Sequence, residues 1–157
     1  MCIRDSYITE VVESVEVPVI ANGDILDAKS ATDCLNQTHA AGLMIGRGAI
    51  GRPSVFGEIK VGLGWMQEED LPWIAAHDGD WHSQSDVVKQ FATRRWCWNR
   101  YIELAKQTTG LELKSMRGHA VSFTKGLPSA KKIRSIMHGK QSKEEFAAAT
   151  SNFLATN

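Results

Sequence analysis

The sequence predicts an α/β segment followed by a small all-helical bundle, and three observations carry that prediction. Two short, nearly all-apolar runs, "VPVIAN" and "AGLMIG", flank a stretch with helical spacing. Beyond Ser85 each apolar pattern has the helical period. Charge is also partitioned: the net charge is zero, yet residues 86–140 hold 12 basic and 3 acidic groups, and residues 54–85 hold 1 basic and 6 acidic. Such asymmetry points the basic segment toward a polyanion; the plainer alternative is a solvated helical surface.

The elements follow in order. "MCIRDS" matches neither helix nor strand, whereas Ile8, Val11, Val12 and Val15 repeat at helical spacing. A strand is expected over 17–22. Asp27 then caps a helix over 28–38, with Ala28, Ala31, Cys34 and Leu35 on its inner face. Residues 41–46 form the second strand. A connection of about 18 residues between two apolar strands predicts parallel pairing through a right-handed crossover. Strands so poor in polar residues are expected to be buried on both faces.

Residues 47–64 are Gly-rich, with a helix starting near Pro53. Residues 65–85 lack a period and read as a long connector, its Trp65, Trp73 and Trp81 packing it onto a domain. Ser85 or Asp86 caps a helix reaching about Gln107. Val87, Phe91, Trp98, Ile102 and Ala105 form its inner stripe; Lys89, Thr93, Trp96 and Arg100 form another. Trp96 is expected to pack between domains in preference to stacking on a base.

Gly110 ends that helix. The next spans about 111–125, with Leu113, Met116, Ala120 and Phe123 inward and Lys114, Arg117 and Lys125 outward. Gly126 and Pro128 break the chain before a helix over 129–138, with Ile133, Ile136 and Met137 inward. The last helix covers 142–154 on Phe146, Ala149 and Phe153. The expected domains are thus 1–62, a connector over 63–84, and a helical domain over 85–157.

At 157 residues, 43% hydrophobic and 23% charged, the chain has the composition of about one globular domain. No apolar run is long enough for a membrane span, and no apolar core of secretory type stands at the N-terminus. Cys2, Cys34 and Cys97 lie far apart without CxxC spacing, which argues against a disulfide or metal framework and fits a reducing cytoplasm. A monomer is expected, with no metal site.

Two groups of residues carry chemistry. Asn22-Gly23-Asp24 ends the first strand and Gly46-Arg47-Gly48 ends the second. Ligands of parallel α/β folds sit at the carboxyl ends of strands. Glycines let backbone N–H groups approach an anion, and Arg47 adds a charge-assisted contact. Asn22 and Asp24 suit hydroxyls or ring edges of the same ligand. Matched polar loops at consecutive strand ends favour a phosphate-bearing ligand over two ordinary turns with a structural Arg. The second group is "MRGHAVSFTKGLPSAKKIR", 116–134, where Arg117, Lys125, Lys131, Lys132 and Arg134 gather around a helix–Gly–Pro–helix break. Such surfaces bind RNA phosphates. His119 reads as structural, and His39, His77, His82 and His138 as surface residues.

Together the two groups resemble the tRNA-dihydrouridine synthase family. "PVIANGDI" followed by "GLMIGRGAIGRP" is similar to the last two strands of that family's FMN-binding (β/α)8 TIM barrel. "MRGHAVSFTKGLPSAKKIR" is similar to its C-terminal helical domain: a basic residue and His, then Lys-Gly-Leu/Phe-Pro-x-Ala, then Arg. The match covers most of 16–60 and about 111–135. It implies an α/β fragment of a TIM barrel, its last two βα units, followed by an all-α domain that binds tRNA. It further implies FMN, reduced by NADPH, delivering hydride to a flipped-out uridine while a catalytic cysteine protonates the other carbon. By matching position, Asn22, Gly23, Asp24, Gly46 and Arg47, with Gly48 beside them, would hold the phosphate and ribityl end of FMN. Arg117, Lys125 and Arg134, with Lys131 and Lys132 in the same motif, would lie on or near the RNA face.

The family's Asn-x-Gly-Cys-Pro motif does not occur in this sequence, and none of its three cysteines takes the acid's place. No catalytic residue is therefore assigned. A complete (β/α)8 barrel takes about 250 residues. The expectation is a C-terminal fragment, inactive by itself, with "MCIRDS" as a non-native start. Two other readings fit parts of the pattern. The strand-end loops alone permit a different FMN- or phosphate-binding barrel enzyme, and the basic helices alone permit a non-enzymatic RNA-binding module.

Overall fold

The computed structural model describes residues 3–108, 113–140 and 142–156. The chain divides into two compact units: Met1–Ala49 with Val55–Glu68, and Ile50–Ser54 with Glu69–Asn157.

The first unit holds helix α1 (Ile3–Ser14), strand β1 (Ile20–Asn22), helix α2 (Ala28–Thr38), strand β2 (Gly42–Met44) and helix α4 (Val55–Gly62); a four-residue helix α3 (Arg47–Ile50) begins in it. α1 starts at Ile3, so Ile3–Ser6, read from sequence as neither helix nor strand, are helical. No Gly or Pro interrupts 3–14, and extending a formed helix backwards costs far less than nucleating one. β1 is shorter than its apolar run. Pro18 has no N–H to donate, and the ladder begins only after it.

β1 and β2 pair in parallel, with Ile20 opposite Gly42, Ala21 opposite Leu43 and Asn22 opposite Met44. Between them, α2 carries a full capping box: Asp27 accepts from Ser30 N at 2.7 Å, and Ser30 Oγ accepts from Asp27 N at 3.1 Å. His39 closes the helix in the left-handed region. Ile25, Ala31, Val55 and Ile59 form the core, with Cys34, Leu43, Ile45, Ala49 and Leu63 packed around them.

The two strands are covered on one face only. Ala21 is buried, but Ile20 and Met44 on the opposite face are more than half exposed. The expectation of burial on both faces is therefore corrected: the described residues supply helices to one side of the sheet. On α1, Ile8 and Val12 are half-buried while Val11 and Val15 are exposed.

In the second unit a 3-10 turn (Glu68–Asp70) leads into the short helix α5 (Pro72–Ala75). The long helix α6 (Asp86–Gln107) follows, then α7 (Leu113–Thr124), α8 (Ala130–His138) and α9 (Lys143–Ala155). Ser85 caps α6, as its position before the apolar stripe predicts. Ser142 and Glu145 make a second capping box on α9. Phe91 and Trp98 from α6, Met116 and Phe123 from α7, Ile133 and Met137 from α8, and Phe146 and Leu154 from α9 are all buried. Trp98 Nε1 donates to Ser151 Oγ at 3.1 Å, tying α6 to α9.

A few inward and outward assignments are not met. Val87 and Ile136 are exposed, whereas Thr93 is buried. Trp73 and Trp81 are buried, as connector anchors should be, but Trp65 is exposed. Trp96 is half-buried edge-on to Trp73 at 6.1 Å; both rings belong to the second unit, so it packs within that unit and not between domains. The expected stop at Gly110 and the side chains of Leu113 and Lys114 lie outside the described residues.

Candidate functional site

The strand-end loops of the first unit bring Asp24 and Arg47 together. The chain leaves β1 through Gly23 and through Asp24, whose φ of 40° puts it in the left-handed region that Asp and Asn tolerate best. Arg47 begins α3 directly after β2, and its Nη2 lies 3.4 Å from Asp24 Oδ1. Both side chains stand in solvent, 88% and 71% exposed, so this pair contributes little to stability and leaves the guanidinium accessible. Gly46 has open space where a side chain would be: Met44 Sδ, at 4.0 Å, is the nearest atom to an added Cβ. That opening lets a ligand reach its backbone.

Asn22 and Gly48 are differently engaged. Asn22 Nδ2 donates to Met44 O at 2.9 Å, across the strand pair. Its amide thus braces the sheet end. A Cβ on Gly48 would stand 3.0 Å from Ile25 O and 3.3 Å from Leu26 Cδ2. This glycine serves close packing of the two loops on each other, not approach to a ligand.

In the second unit the five basic residues spread over different sides of α7 and α8. Arg117 is exposed on α7, with its guanidinium 5.9 Å from the centre of the Phe146 ring, a cation–π contact that restrains it. Lys125 is exposed in the turn after α7. On α8, Lys131 and Lys132 are exposed and Arg134 is half-buried. Lys132 and Arg134 are about 200° apart around the helix axis, and only Lys132 lines the groove toward α9.

His119 is a packing residue. Its ring meets Tyr101 edge-on at 4.9 Å, and its buried Nδ1 has no hydrogen-bond partner. Tyr101 also lies beside Trp98 and Phe123, and burial raises its phenol above the usual value of 10.0. His77, read from sequence as a surface residue, is half-buried edge-on to Trp81 at 5.2 Å, with Nε2 buried and unpartnered.

Sequence reasoning missed Arg94. From α6 its Nη1 donates to the carbonyls of Gly51 and Phe123, the latter at 3.1 Å. A Cβ on Gly51 would collide with the Ser122 carbonyl, so the strap 50–54 lies directly against α7. The signal was present: Arg94 falls three residues after Phe91 and four before Trp98, on the apolar stripe of α6. A charge in that position has to find buried acceptors.

No helix among the described residues is long and apolar enough to cross a membrane. Cys34 is half-buried and Cys97 buried. Comparison with known proteins gives a consistent result. The family described as Dihydrouridine synthase (Dus) matches residues 3–156. A "Probable tRNA-dihydrouridine synthase" of Rickettsia prowazekii is 30% identical over 128 residues, 82% of this chain and 35% of that protein. Its counterpart in Rickettsia conorii is 29% identical over 96% of this chain and 42% of its own length. A "tRNA-dihydrouridine(16) synthase" of Haemophilus ducreyi is 44% identical over 98 residues, 62% of this chain and 30% of that protein. The chain thus spans less than half the length of the curated relatives it matches. With a family match over nearly its whole length, the chain belongs to the dihydrouridine synthase family.

Proposed function

We propose that this chain is the C-terminal part of an FMN-dependent tRNA-dihydrouridine synthase, carrying the phosphate end of the flavin site and the tRNA-binding helices. The observation that carries the reading is the pairing of Asp24 and Arg47 at the carboxyl ends of two parallel strands, in a chain of this family. An accessible guanidinium beside the open backbone of Gly46 suits a phosphate monoester. Asp24 would accept from ribityl hydroxyls while offsetting part of the Arg47 charge. Asn22 supports this site by bracing the sheet end through Met44 O, and Gly48 by letting the two loops pack closely. When bound, FMN supplies hydride, drawn from NADPH, to a uridine of tRNA.

This chain's own residues bind and orient. Arg47 and Gly46 hold the cofactor's anionic end, and the basic residues Arg117, Lys125, Lys131, Lys132 and Arg134 hold RNA phosphates. The proton donor belongs to an Asn-x-Gly-Cys-Pro segment that these 157 residues do not include. Buried Cys97 and half-buried Cys34 do not replace it. Purified protein given FMN, NADPH and unmodified tRNA is expected to form no dihydrouridine, as read by NADPH consumption and by mass spectrometry of nucleosides. Measured turnover would overturn this division of labour.

The tRNA assignment has its own test. Charge reversal at Lys125 and Arg134 should weaken tRNA binding and flatten the dependence of log K on log salt by about 0.7–0.9 per lost phosphate contact. Unchanged affinity at low salt would count against a polyanion role for these helices.

A further inference from the structure

We propose that the groove between α8 and α9 is a subsite for one unstacked base of single-stranded RNA. The inference rests on the tRNA reading and adds a contact that reads a base instead of a phosphate. The groove encloses about 580 Å³ and is lined by Ile133, Ile136 and Phe153 together with Lys132, Asn152 and Ser129. Its size is within the range of small-molecule sites, roughly 300–1,000 Å³.

The lining selects the occupant. Ile133 is buried in the floor, while Ile136 is 49% exposed, an apolar wall that α8 leaves uncovered. Phe153 is half-buried and held against Phe91, with ring centres 5.6 Å apart, so it offers a fixed surface. Apolar walls of this kind accept the faces of a heterocycle, whatever the base. Asn152 brings an amide that both donates and accepts, which is what the edge of a base requires. Lys132, exposed at the rim, can meet the phosphate attached to that base. Lys140, also in the lining, is paired with Glu145 at 3.8 Å as a nearly neutral couple, so Lys132 is the lining cation outside that pair. Lys132 belongs to the 86–140 segment whose net charge is +9, so an anionic strand is drawn toward this segment as a whole, and Lys132 is its cation at the groove. An amphipathic helix is the competing occupant. It would need a continuous apolar strip, and here Lys132 and Asn152 interrupt the strip on both walls.

The test compares labelled octauridylate with an octamer of the same sugar-phosphate backbone lacking bases, both titrated into the 157-residue protein. The base-bearing strand is expected to bind about tenfold tighter, the effect of stacking one base. Ile136→Glu, a change at an exposed position, should abolish that preference. Asn152→Ala should reduce it without altering the salt slope, whereas Lys132→Ala should lower affinity for both strands and reduce the slope by about 0.7. Equal binding of the two strands, or a preference that survives Ile136→Glu, overturns the subsite. If that happens while tRNA binding still responds to charge reversal at Lys125 and Arg134, only the groove is lost. If tRNA does not bind at all, the reading beneath it fails as well.

Discussion

Arg94 shows what a single side chain does in the second unit. It carries charge into a half-buried position and gives its hydrogen bonds to the carbonyls of Gly51 and Phe123, joining a strap from between α3 and α4 to the end of α7. Arg94→Met keeps the aliphatic stem but leaves both carbonyls without this donor. Each bond from a charged donor contributes about 1.5–3 kcal/mol, and relief of the buried charge offsets part of the loss, so a net cost of about 2–4 kcal/mol is expected. Urea unfolding followed by tryptophan fluorescence reads it directly, because Trp73, Trp81, Trp96 and Trp98 all belong to this unit. Arg94→Lys should recover less than half of the loss, since an ammonium lacks the planar fork that spans two carbonyls. A shift below about 0.5 kcal/mol for Arg94→Met would show that the strap is held by other contacts. At this scale the sequence was legible where one residue type has one use, as at Asp27 and Ser85. It was opaque where the use depends on a distant carbonyl, as at Arg94, or on a partner across a strand, as at Asn22.

Helices proved easier to read than strands, for physical reasons. α2, α6 and α9 announce their starts with Asp27, Ser85 and Ser142, whose side chains accept from backbone N–H groups that no helical carbonyl can reach. Their bounds fall within a residue or two of the periodic pattern. Strand lengths were overestimated because an apolar run does not by itself record ladder pairing. Val17 precedes Pro18 and is 68% exposed, and the ladder covers only Ile20–Asn22. The buried stripe of α8 is narrower than the sequence suggests. Ile136, assigned inward, is exposed on the α9 side of α8, where the groove opens. The basic motif around the α7–α8 turn shows the same limit. Its five cations are close in sequence, yet Lys132 and Arg134 face different sides because two residues advance a helix by about 200°. A compact motif in the sequence becomes two separate surfaces on the element.

Across the whole molecule, the two units differ in how much apolar surface they bury. The second encloses Trp73, Trp81, Phe91, Trp98, Phe123 and Phe146, and large aromatic side chains dominate core energetics. The first relies on Ile25, Ala31, Val55 and Ile59, while Tyr7, Val11, Val17, Ile20 and Met44 remain exposed. Full burial of one large apolar side chain contributes about 1.5–3 kcal/mol, so a deficit of several such residues makes the first unit the weaker. Local opening should then follow this division, with amides of α2 over 31–38 exchanging at least about tenfold faster than those of α6 over 91–98. Both stretches lie beyond the first turn of their helices, so each amide has a helical or cap carbonyl as acceptor. Native-state hydrogen exchange read by mass spectrometry, on protein dilute enough to keep the exposed sheet face from self-association, measures both in one sample. Equal protection of the two helices would mean that they open together, and that the chain unfolds as one cooperative body despite its uneven cores.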